Sequence, residues 1–317
     1  MIVLLGHTGY IGSAFFQVLH ERGIPFVSPT RKEMDYTDFG TLFSFLQKLK
    51  PTFLLNAAGY TGKPNVDACE IARADTLQGN SLFPAMLAHA CQMLNIPWGH
   101  VSSGCIFAGA KVFQNGAWQV EKDLTLPAIE ALAASHPEAF RGFTEEDQPN
   151  FSFRSPPCSF YSGSKALGEE ALTTAPQTYI WRLRIPFDHL ENSRNVLTKF
   201  QKYSKVYNNI NSLSHRFDFV NACLDLWLLN APFGTYNLTN PGFTSSREII
   251  GMMKKFLKID REFEFWSSDE DFYKVAAKTP RSNCILDTSK LLATGVKMRS
   301  VHEALEHSLK HWTPSLT

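Results

Sequence analysis

Tyr161 and Lys165 stand four residues apart at the start of a pattern typical of a helix. Positions i and i+4 share one helical face, so both side chains would point the same way. A cation beside a phenol lowers the pKa of the phenol from about 10 toward neutrality. A phenol tuned in this way can protonate a carbonyl oxygen as hydride reaches the carbon. Ser103, just beyond a predicted strand, can give the same oxygen a second hydrogen bond.

Three glycines near the N-terminus form a second chemical feature. Gly6, Gly9 and Gly12 follow an apolar run over residues 1–5, and a helical pattern begins at Ile11. Strand, glycine turn and helix in this order are the context of a dinucleotide-binding turn. The glycines let the backbone approach a pyrophosphate closely, and the helix N-terminus directs unpaired N–H groups at its charge. The alternative is an ordinary β–α turn with chance glycines; we favour cofactor binding.

The end of the second predicted strand indicates which dinucleotide would bind. An acidic residue usually stands there in NAD-specific sites, whereas this chain has Arg31 and Lys32. Two cations suit a 2′-phosphate, so the sequence favours NADPH over NADH. The alternative is that both are solvated loop charges. The predicted cofactor contacts in these turns are Gly6, Thr8, Gly9, Tyr10, Ile11, Gly12, Arg31, Lys32, Asn56, Ala57, Ala58 and Gly59.

Strand and helix patterns alternate along the first half of the chain. This alternation predicts an α/β fold with a doubly wound parallel sheet of the Rossmann type, whose ligand lies at the carboxyl ends of the strands. After the first strand, the predicted strands are residues 24–28, 52–56, 98–102 and 179–183. The predicted helices after the first are residues 39–49, 81–94 and 158–173.

The second half is less regular and is predicted to form a smaller C-terminal α/β substrate domain. Its predicted helices are residues 196–203, 221–229, 246–256 and 301–312, with a strand at 235–238. We predict a dinucleotide-binding domain over residues 1–185 with a return segment at about 213–240, and a substrate-binding domain over 186–212 and 241–317. Residues 108–157 are predicted to be a surface insertion near the site, with one helix at 126–134.

Composition excludes several classes of partner. The 317 residues carry 31 Lys and Arg against 30 Asp and Glu, a formal net charge of +1. A net charge this small creates no electrostatic field that would draw the chain to nucleic acid or a membrane surface. No apolar run approaches the roughly 18 residues of a membrane span. The six cysteines form no C-x-x-C pair and the histidines lack ligand spacing, so we predict reduced thiols and no metal. The first strand leaves no room for a signal peptide, so we expect a cytoplasmic protein.

With these motifs the chain resembles the extended short-chain dehydrogenase/reductase family. Within it, the chain is similar to dTDP-4-dehydrorhamnose reductases and, more closely, to plant-type bifunctional nucleotide-rhamnose synthase/epimerase-reductases. The resemblance covers nearly the whole chain. Its motifs are residues 6–12, 56–59, 61–67, 103–107, 143–147, 161–165, 240–242 and 280–283, and residues 62–70 are specific to the narrower group. It implies that Ser103, Tyr161 and Lys165 are the catalytic residues of a reductase, and that Tyr161 and Lys165 also contact the cofactor.

Cys105 and Lys199 match the pair that carries epimerisation in the plant-type enzymes. Protons on carbons that flank a 4-keto group are acidic, and inversion needs a base on one face and an acid on the other. A thiol and an ammonium with shifted pKa values can fill those roles. The alternatives are a cysteine that acts as a small buried hydrophobe and a solvated helix lysine.

The resemblance implies substrate contacts at Ser103, Asn65 and Arg281, where an arginine fork suits a diphosphate. Arg184 is a further candidate for the same role. Two insertions, the segment after Phe107 and residues 153–157, depart from the family pattern and are expected beside the substrate pocket.

The implied activity is NADPH-dependent reduction of a 4-keto-6-deoxy nucleotide sugar, with 3,5-epimerisation, giving an activated rhamnose-type deoxysugar. The nucleotide would be UDP or dTDP, and the chain would form a homodimer. Two alternatives stay open. One is a 4-reductase alone. The other is a cofactor-binding regulatory subunit, because the regulatory subunit of methionine adenosyltransferase is similar to these reductases; the Ser103, Tyr161 and Lys165 set argues against it.

Overall fold

Helices and short strands alternate through the chain, and the computed structural model describes residues 1–315. The helices are α1 (Tyr10–Glu21), α2 (Phe39–Leu49), α3 (Arg73–Leu77), α4 (Phe83–Leu94), α5 (Pro127–Ser135), α6 (Phe160–Ala171), α7 (Val196–Lys202), α8 (Arg216–Leu228), α9 (Ser246–Leu257), α10 (Asp269–Val275), α11 (Ser289–Ala293) and α12 (Val301–Lys310). The strands are β1 (Ile2–Leu5), β2 (Phe26–Val27), β3 (Phe53–Asn56), β4 (Trp98–Ser103), β5 (Ala110–Gln114), β6 (Ala117–Glu121), β7 (Phe140–Arg141), β8 (Thr178–Leu183), β9 (Pro186–Phe187), β10 (Lys205–Val206), β11 (Ile210–Asn211), β12 (Ser214–His215), β13 (Gly234–Asn237), β14 (Thr244–Ser245) and β15 (Glu264–Phe265). None of the helices within residues 1–315 has the length and apolar character to cross a membrane.

Six parallel strands form the central sheet in the order β13-β8-β4-β3-β1-β2. The strand order reverses between β1 and β3, so the turns that follow these two strands diverge and leave a crevice at the carboxyl edge. The structure therefore confirms the predicted α/β fold with a parallel sheet.

Helices cover both faces of this sheet. On one face Phe15 of α1 and Phe219 of α8 belong to the cluster around Trp181 of β8. On the other face Leu46 of α2 and Leu87 of α4 pack in the cluster around Trp98. Burial on both faces explains why these strands are continuous apolar runs without alternation.

A separate hydrophobic cluster lies in the second half of the chain. It joins α7, α9 and α12 through side chains such as Leu197, Met253 and Leu305. Strand β13 returns to the central sheet beside β8. The division into residues 1–185 with 213–240, and 186–212 with 241–317, stays a prediction.

Three element boundaries differ from those predicted. Strand β2 has only two residues, because Pro25 and Pro29 flank it and cannot donate to a ladder. Helix α8 starts at Arg216, five residues early, because the His215 side chain caps it by accepting the Asp218 N–H. Helix α4 is preceded by α3 and a π-helical turn over Gln78–Leu82, both unpredicted.

The insertion at 108–157 is more ordered than predicted. Besides α5, it forms the antiparallel hairpin β5–β6, with β7 on the other side of β5. Asn115 and Gly116 both have positive φ in the turn, so the Asn-Gly pair was a hairpin signal that the sequence reasoning missed. Val112 and Ile129 join a cluster with Ile210 and Ile285 from the second half, so the insertion packs on that half of the molecule.

Candidate active site

A cleft of about 1330 Å³ follows the carboxyl edge of the central sheet. Its walls include residues 8–11 of the glycine turn, Ser103, Tyr161 and Lys165, and residues of the second half between 184 and 283. Residues 108–157 do not line it, so the insertion forms no part of the inner surface of the pocket. The insertion instead touches the cleft wall from behind, where Thr125 Oγ1 donates to Asp269 Oδ1 (3.3 Å) and Tyr207 donates to the same oxygen (2.7 Å).

Helix α6 presents Tyr161 from its first turn. Ser159 caps the helix, and its hydroxyl accepts the Ser162 N–H (3.1 Å). Burial raises the pKa of the Tyr161 phenol, the neighbouring Cys105 adds to the rise, and the Ser103 side chain opposes it. This differs from the expected lowering, because desolvation outweighs the other effects. The phenol therefore holds its proton and is a hydrogen-bond donor to any oxygen placed beside it.

Lys165 lies one helical turn below Tyr161 and is buried. Its Nζ donates to the Val101 carbonyl (3.2 Å) and lies close to Gly59, since a Cβ added to that glycine would be 3.5 Å from it. Burial lowers the pKa of Lys165 from 10.5 to about 8, and Cys105 and Glu169 act against that lowering. The ammonium therefore lies in the wall of the cleft, next to the small residues that follow β3.

Replacing Lys165 by methionine should stabilise the protein at pH 7. The lowering of the pKa from 10.5 to about 8 corresponds to a penalty of about 3 kcal/mol for the buried charge. The lost bond to Val101 offsets about 1 kcal/mol, which leaves a gain of about 2 kcal/mol. Between pH 8 and 10.5 the unfolded parent binds more protons than the folded parent, so its stability rises with pH and the gap closes.

Urea unfolding of Lys165→Met and the parent at pH 7 and pH 10 measures this gap. Lys202→Met, at a lysine whose side chain is 66% exposed, is the control and should change stability little at either pH. A Lys165→Met variant that is less stable than the parent at pH 7 would contradict the prediction.

Asn56 was predicted to contact the cofactor, but the structure places it beneath the turn. It is fully buried; its Oδ1 accepts the Ala58 N–H (3.0 Å) and its Nδ2 pairs with His100 Nδ1 (3.0 Å). Burial and the Lys165 charge lower the pKa of His100, so the ring is neutral and accepts from the Asn56 amide. Asn56 thus shapes the turn, while Ala57, Ala58 and Gly59 line the cleft.

The glycine turn fits a dinucleotide. Gly6 has a φ of +83°, and a Cβ on it would lie 2.5 Å from the Ala58 nitrogen; a Cβ on Gly12 would lie 2.0 Å from the Gly6 oxygen. Side chains are thus excluded where β1 and β3 diverge. Within the described residues, no side chain caps α1 at Gly9, so its first N–H groups are free for an anion. Arg31 also lines the cleft and Lys32 does not.

Cys105 lies in the turn after β4, two residues beyond Ser103, and its N–H donates to Ser103 Oγ (3.2 Å). Burial raises the pKa of the Cys105 thiol, opposed by Ser103, Ser162 and nearby cations. The thiol therefore stays protonated beside the Tyr161 phenol and is an acid in this form.

Lys199 lines the cleft from α7, a helix that begins where Asn195 Oδ1 accepts the Leu197 N–H (3.0 Å). Burial lowers the pKa of Lys199, and the charges of Arg194 and Arg281 lower it further. The lysine therefore gives up its proton more readily than an ordinary lysine and is suited to act as a base.

Arg281 was expected to offer a free guanidinium to a diphosphate, but in the structure its guanidinium is paired with a carboxylate. Its Nη1 and Nη2 donate to the two carboxylate oxygens of Asp67 (2.7 and 2.8 Å). Asn65, another predicted substrate contact, uses its Oδ1 to accept the Asp67 N–H (2.8 Å). Arg184 is bound to Asn211 Oδ1 (2.6 Å from Nη2). All three line the cleft, yet each is already engaged by protein groups.

Several cleft residues were not predicted. Arg194 lines the cleft and donates to the Gly62 carbonyl (2.7 Å). The Tyr207 and Phe272 rings stack 4.0 Å apart beside Trp266, which lies under Lys205. Aromatic faces of this kind suit a planar base. The density of aromatic residues between 263 and 273 was the available signal.

The fold and this site define a dinucleotide-binding oxidoreductase of the short-chain dehydrogenase/reductase type. The family described as RmlD substrate binding domain matches residues 1–313, and the chain belongs to that family. The resemblance drawn from the motifs is thereby confirmed.

Three relatives illustrate the similarity. An Arabidopsis thaliana bifunctional dTDP-4-dehydrorhamnose 3,5-epimerase/dTDP-4-dehydrorhamnose reductase is 30% identical over 96% of this chain and 90% of its own. An Arabidopsis trifunctional UDP-glucose 4,6-dehydratase/UDP-4-keto-6-deoxy-D-glucose 3,5-epimerase/UDP-4-keto-L-rhamnose-reductase is 32% identical over 96% of this chain, which spans 41% of that protein. The crystal structure of the L780 UDP-rhamnose synthase from Acanthamoeba polyphaga mimivirus has a TM-score of 0.81, with 25% identity and 98% coverage of both chains.

Proposed function

We propose that the protein is an NADPH-dependent reductase of a 4-keto-6-deoxy nucleotide sugar that also carries out 3,5-epimerisation, and that its product is an activated rhamnose-type deoxysugar. The observation that carries the proposal is the convergence of Ser103, Tyr161 and Lys165 in one cleft with the glycine turn. The names of the relatives support the substrate class, and the cysteine and lysine in the cleft support epimerisation. The nucleotide is UDP or dTDP, as in those relatives.

Reduction requires a proton donor at the sugar oxygen. Tyr161 Oη, which its raised pKa keeps protonated, donates its proton to O4 as charge develops there. Ser103 orients the same oxygen, and the buried Lys165 ammonium stabilises the phenolate that forms. Bound NADPH supplies the hydride for C4. The glycine turn, residues 57–59 and Arg31 would hold it.

Epimerisation precedes reduction, because the 4-keto group is what acidifies C3 and C5. Lys199, with its lowered pKa, removes a proton from C3 or C5, and the Cys105 thiol returns a proton on the opposite face; proton exchange with solvent then restores the neutral lysine and the thiol before the second carbon is inverted. The carbanion formed between the two steps is an enolate whose oxygen is O4, so the Tyr161 and Ser103 hydroxyls stabilise it by hydrogen bonds.

NADPH oxidation with UDP- and dTDP-4-keto-6-deoxyglucose, without an added epimerase, tests the proposal. Oxidation with an L-rhamno product, identified by NMR, is the expected result. Oxidation that yields only the unepimerised sugar would leave a 4-reductase alone and remove Cys105 and Lys199 from the chemistry. Tight NADPH binding with no turnover of either sugar would exclude the proposed substrate and favour the regulatory alternative.

Replacing Arg31 by alanine should weaken the preference for NADPH over NADH. A charge-assisted contact to a 2′-phosphate contributes about 1.5–3 kcal/mol, or about 10- to 100-fold in binding. The ratio of kcat/KM for the two cofactors measures the change. Lys32→Ala is the matched control, because Lys32 does not line the cleft, and it should change the ratio less than threefold. Equal effects of both variants would place the 2′-phosphate elsewhere.

A homodimer and a cytoplasmic location complete the proposal. Leu82, Met93 and Leu167 are exposed apolar side chains on and next to α4 and α6, and they offer a face for a second copy. Sedimentation velocity tests the dimer, and a monomer at all concentrations would exclude it. Cell fractionation tests the location.

A further inference from the structure

Residues 62–70, called here the bridging segment, have no part in the chemistry derived above, although they carry the motif specific to the narrower family group. In the structure they contact three separate parts of the site. The Gly62 carbonyl accepts from Arg194, Asp67 binds Arg281, and Glu70 contacts the first residue of α6. One short segment therefore connects the loop before α7, the Arg281 loop and the helix that carries Tyr161.

Glu70 makes the contact nearest to the chemistry. Its Oε1 accepts the backbone N–H of Phe160 (2.7 Å), the first residue of α6 and the neighbour of Tyr161. The Ser159 hydroxyl accepts the Ser162 N–H (3.1 Å), and the Phe160 N–H is satisfied by Glu70. A carboxylate at a helix N-terminus is favoured by both the free N–H groups and the helix dipole. Glu70 thus fixes where the Tyr161 helix begins.

The same carboxylate oxygen also reaches the Arg281 loop. Thr279, which is 3% exposed, donates from Oγ1 to Glu70 Oε1 (2.7 Å). Two residues along, Arg281 donates to the two carboxylate oxygens of Asp67 (2.7 and 2.8 Å). Because Thr279 belongs to the Arg281 loop, a displacement of that loop by an anionic ligand would act on the Glu70 carboxylate directly, through this one hydrogen bond.

We propose that Glu70 is a positioning residue, which holds the start of α6 so that the Tyr161 phenol meets the substrate oxygen, and which links that start to the Arg281 loop through Thr279. Only the kinetic test of this proposal depends on the proposed function; the hydrogen-exchange test does not. Glu70 touches neither the reacting atoms nor the cofactor groove. Its effect reaches the reaction through the Phe160 N–H and the placement of the next residue, where an error of about 1 Å can cost about 100-fold in rate.

Three substitutions separate the two bonds. Glu70→Ala removes both, Glu70→Gln keeps an amide oxygen that can accept both, and Thr279→Val keeps the shape but removes the bond to the loop. Glu170→Ala, on the exposed face of α6 where Glu170 pairs with Arg154, is the control for loss of an acidic residue beside that helix.

The kinetic arm measures kcat, KM and NADPH affinity. We expect Glu70→Ala to lower kcat about 30-fold with NADPH affinity within about twofold, and Glu70→Gln to recover kcat to within about threefold. Thr279→Val should leave kcat within about threefold and raise the KM for the nucleotide sugar about fivefold. Equal kcat losses in Glu70→Ala and Glu70→Gln, or no loss in either, would overturn the positioning role. A kcat loss in Thr279→Val without a change in KM would overturn the link to the loop.

Hydrogen exchange provides an arm that needs no turnover. Mass spectrometry of the peptide that contains Phe160 should show about tenfold faster exchange in Glu70→Ala, with Glu70→Gln and Glu170→Ala near the parent. If the parent reduces neither sugar but this pattern holds, the proposed function fails while the positioning of α6 stands. If Glu70→Ala does not fold by circular dichroism, Thr279→Val decides: it keeps the Phe160 bond, so exchange of the Phe160 peptide should stay near the parent, and an unchanged KM for the nucleotide sugar would refute the proposal.

Discussion

Replacing Tyr161 by phenylalanine should lower kcat for NADPH oxidation about 1000-fold, within the range of about 10²–10⁴ typical of a lost general acid. In the proposed mechanism the phenol donates to O4, and its raised pKa, caused mainly by burial, keeps it protonated until the substrate oxygen takes the proton. Without it, the developing alkoxide has the Ser103 hydroxyl as its nearest donor. Because phenylalanine fills the same volume, the affinity for NADPH should change by less than about threefold.

Stopped-flow NADPH oxidation and fluorescence titration of NADPH measure the two quantities separately. Tyr236→Phe is the matched control: its hydroxyl donates to the Pro232 carbonyl (2.7 Å) inside the core, away from the cleft. It should cost stability but leave kcat within about twofold. A Tyr161→Phe variant that retains more than about a tenth of the parent rate would require a different acid.

The parts of this molecule that were predicted from sequence are those specified by local patterns. An apolar run, a glycine turn and a helical repeat over residues 1–19 determine β1, the turn and α1 without distant contacts. The Tyr161–Lys165 pair was predictable for the same reason, because two residues four apart share a helical face wherever the helix lies. The family match strengthened both predictions, since it linked these segments along nearly the whole chain.

The parts that were not predicted depend on residues far apart in the chain. Arg281 is 214 residues from the Asp67 carboxylate that binds it, so its lost availability is visible only in the fold. Asn56 lies in the interior, where its amide pairs with the ring of His100, 44 residues away. The pKa of Tyr161 was expected to fall, because the sequence shows a nearby cation but not the burial that outweighs it. The sequence therefore predicted which side chains lie together on one element better than it predicted their burial and electrostatic surroundings, which determine their pKa values.

Replacing Cys105 by alanine should separate epimerisation from reduction. In the proposed mechanism the thiol is the acid on one face of the sugar, so its loss should slow exchange of deuterium into C3 and C5, measured by NMR in D₂O, by about 100-fold or more. Reduction of a substrate that already has the L configuration should fall less than about fivefold, because Tyr161, Ser103 and Lys165 remain. Lys199→Met should produce the same separation from the opposite face.

Matched controls distinguish this loss from general damage to the cleft. Cys158→Ala alters a half-buried thiol that does not line the cleft, and Lys202→Met alters an exposed lysine on the same helix as Lys199. Both should retain exchange and reduction within about twofold. If Cys105→Ala slows exchange and reduction equally, the thiol shapes the site and is no proton carrier. If it slows neither, Cys105 takes no part in the proton transfer and is a small buried apolar side chain; a parent protein that shows no exchange at all would be a 4-reductase that takes an epimerised sugar.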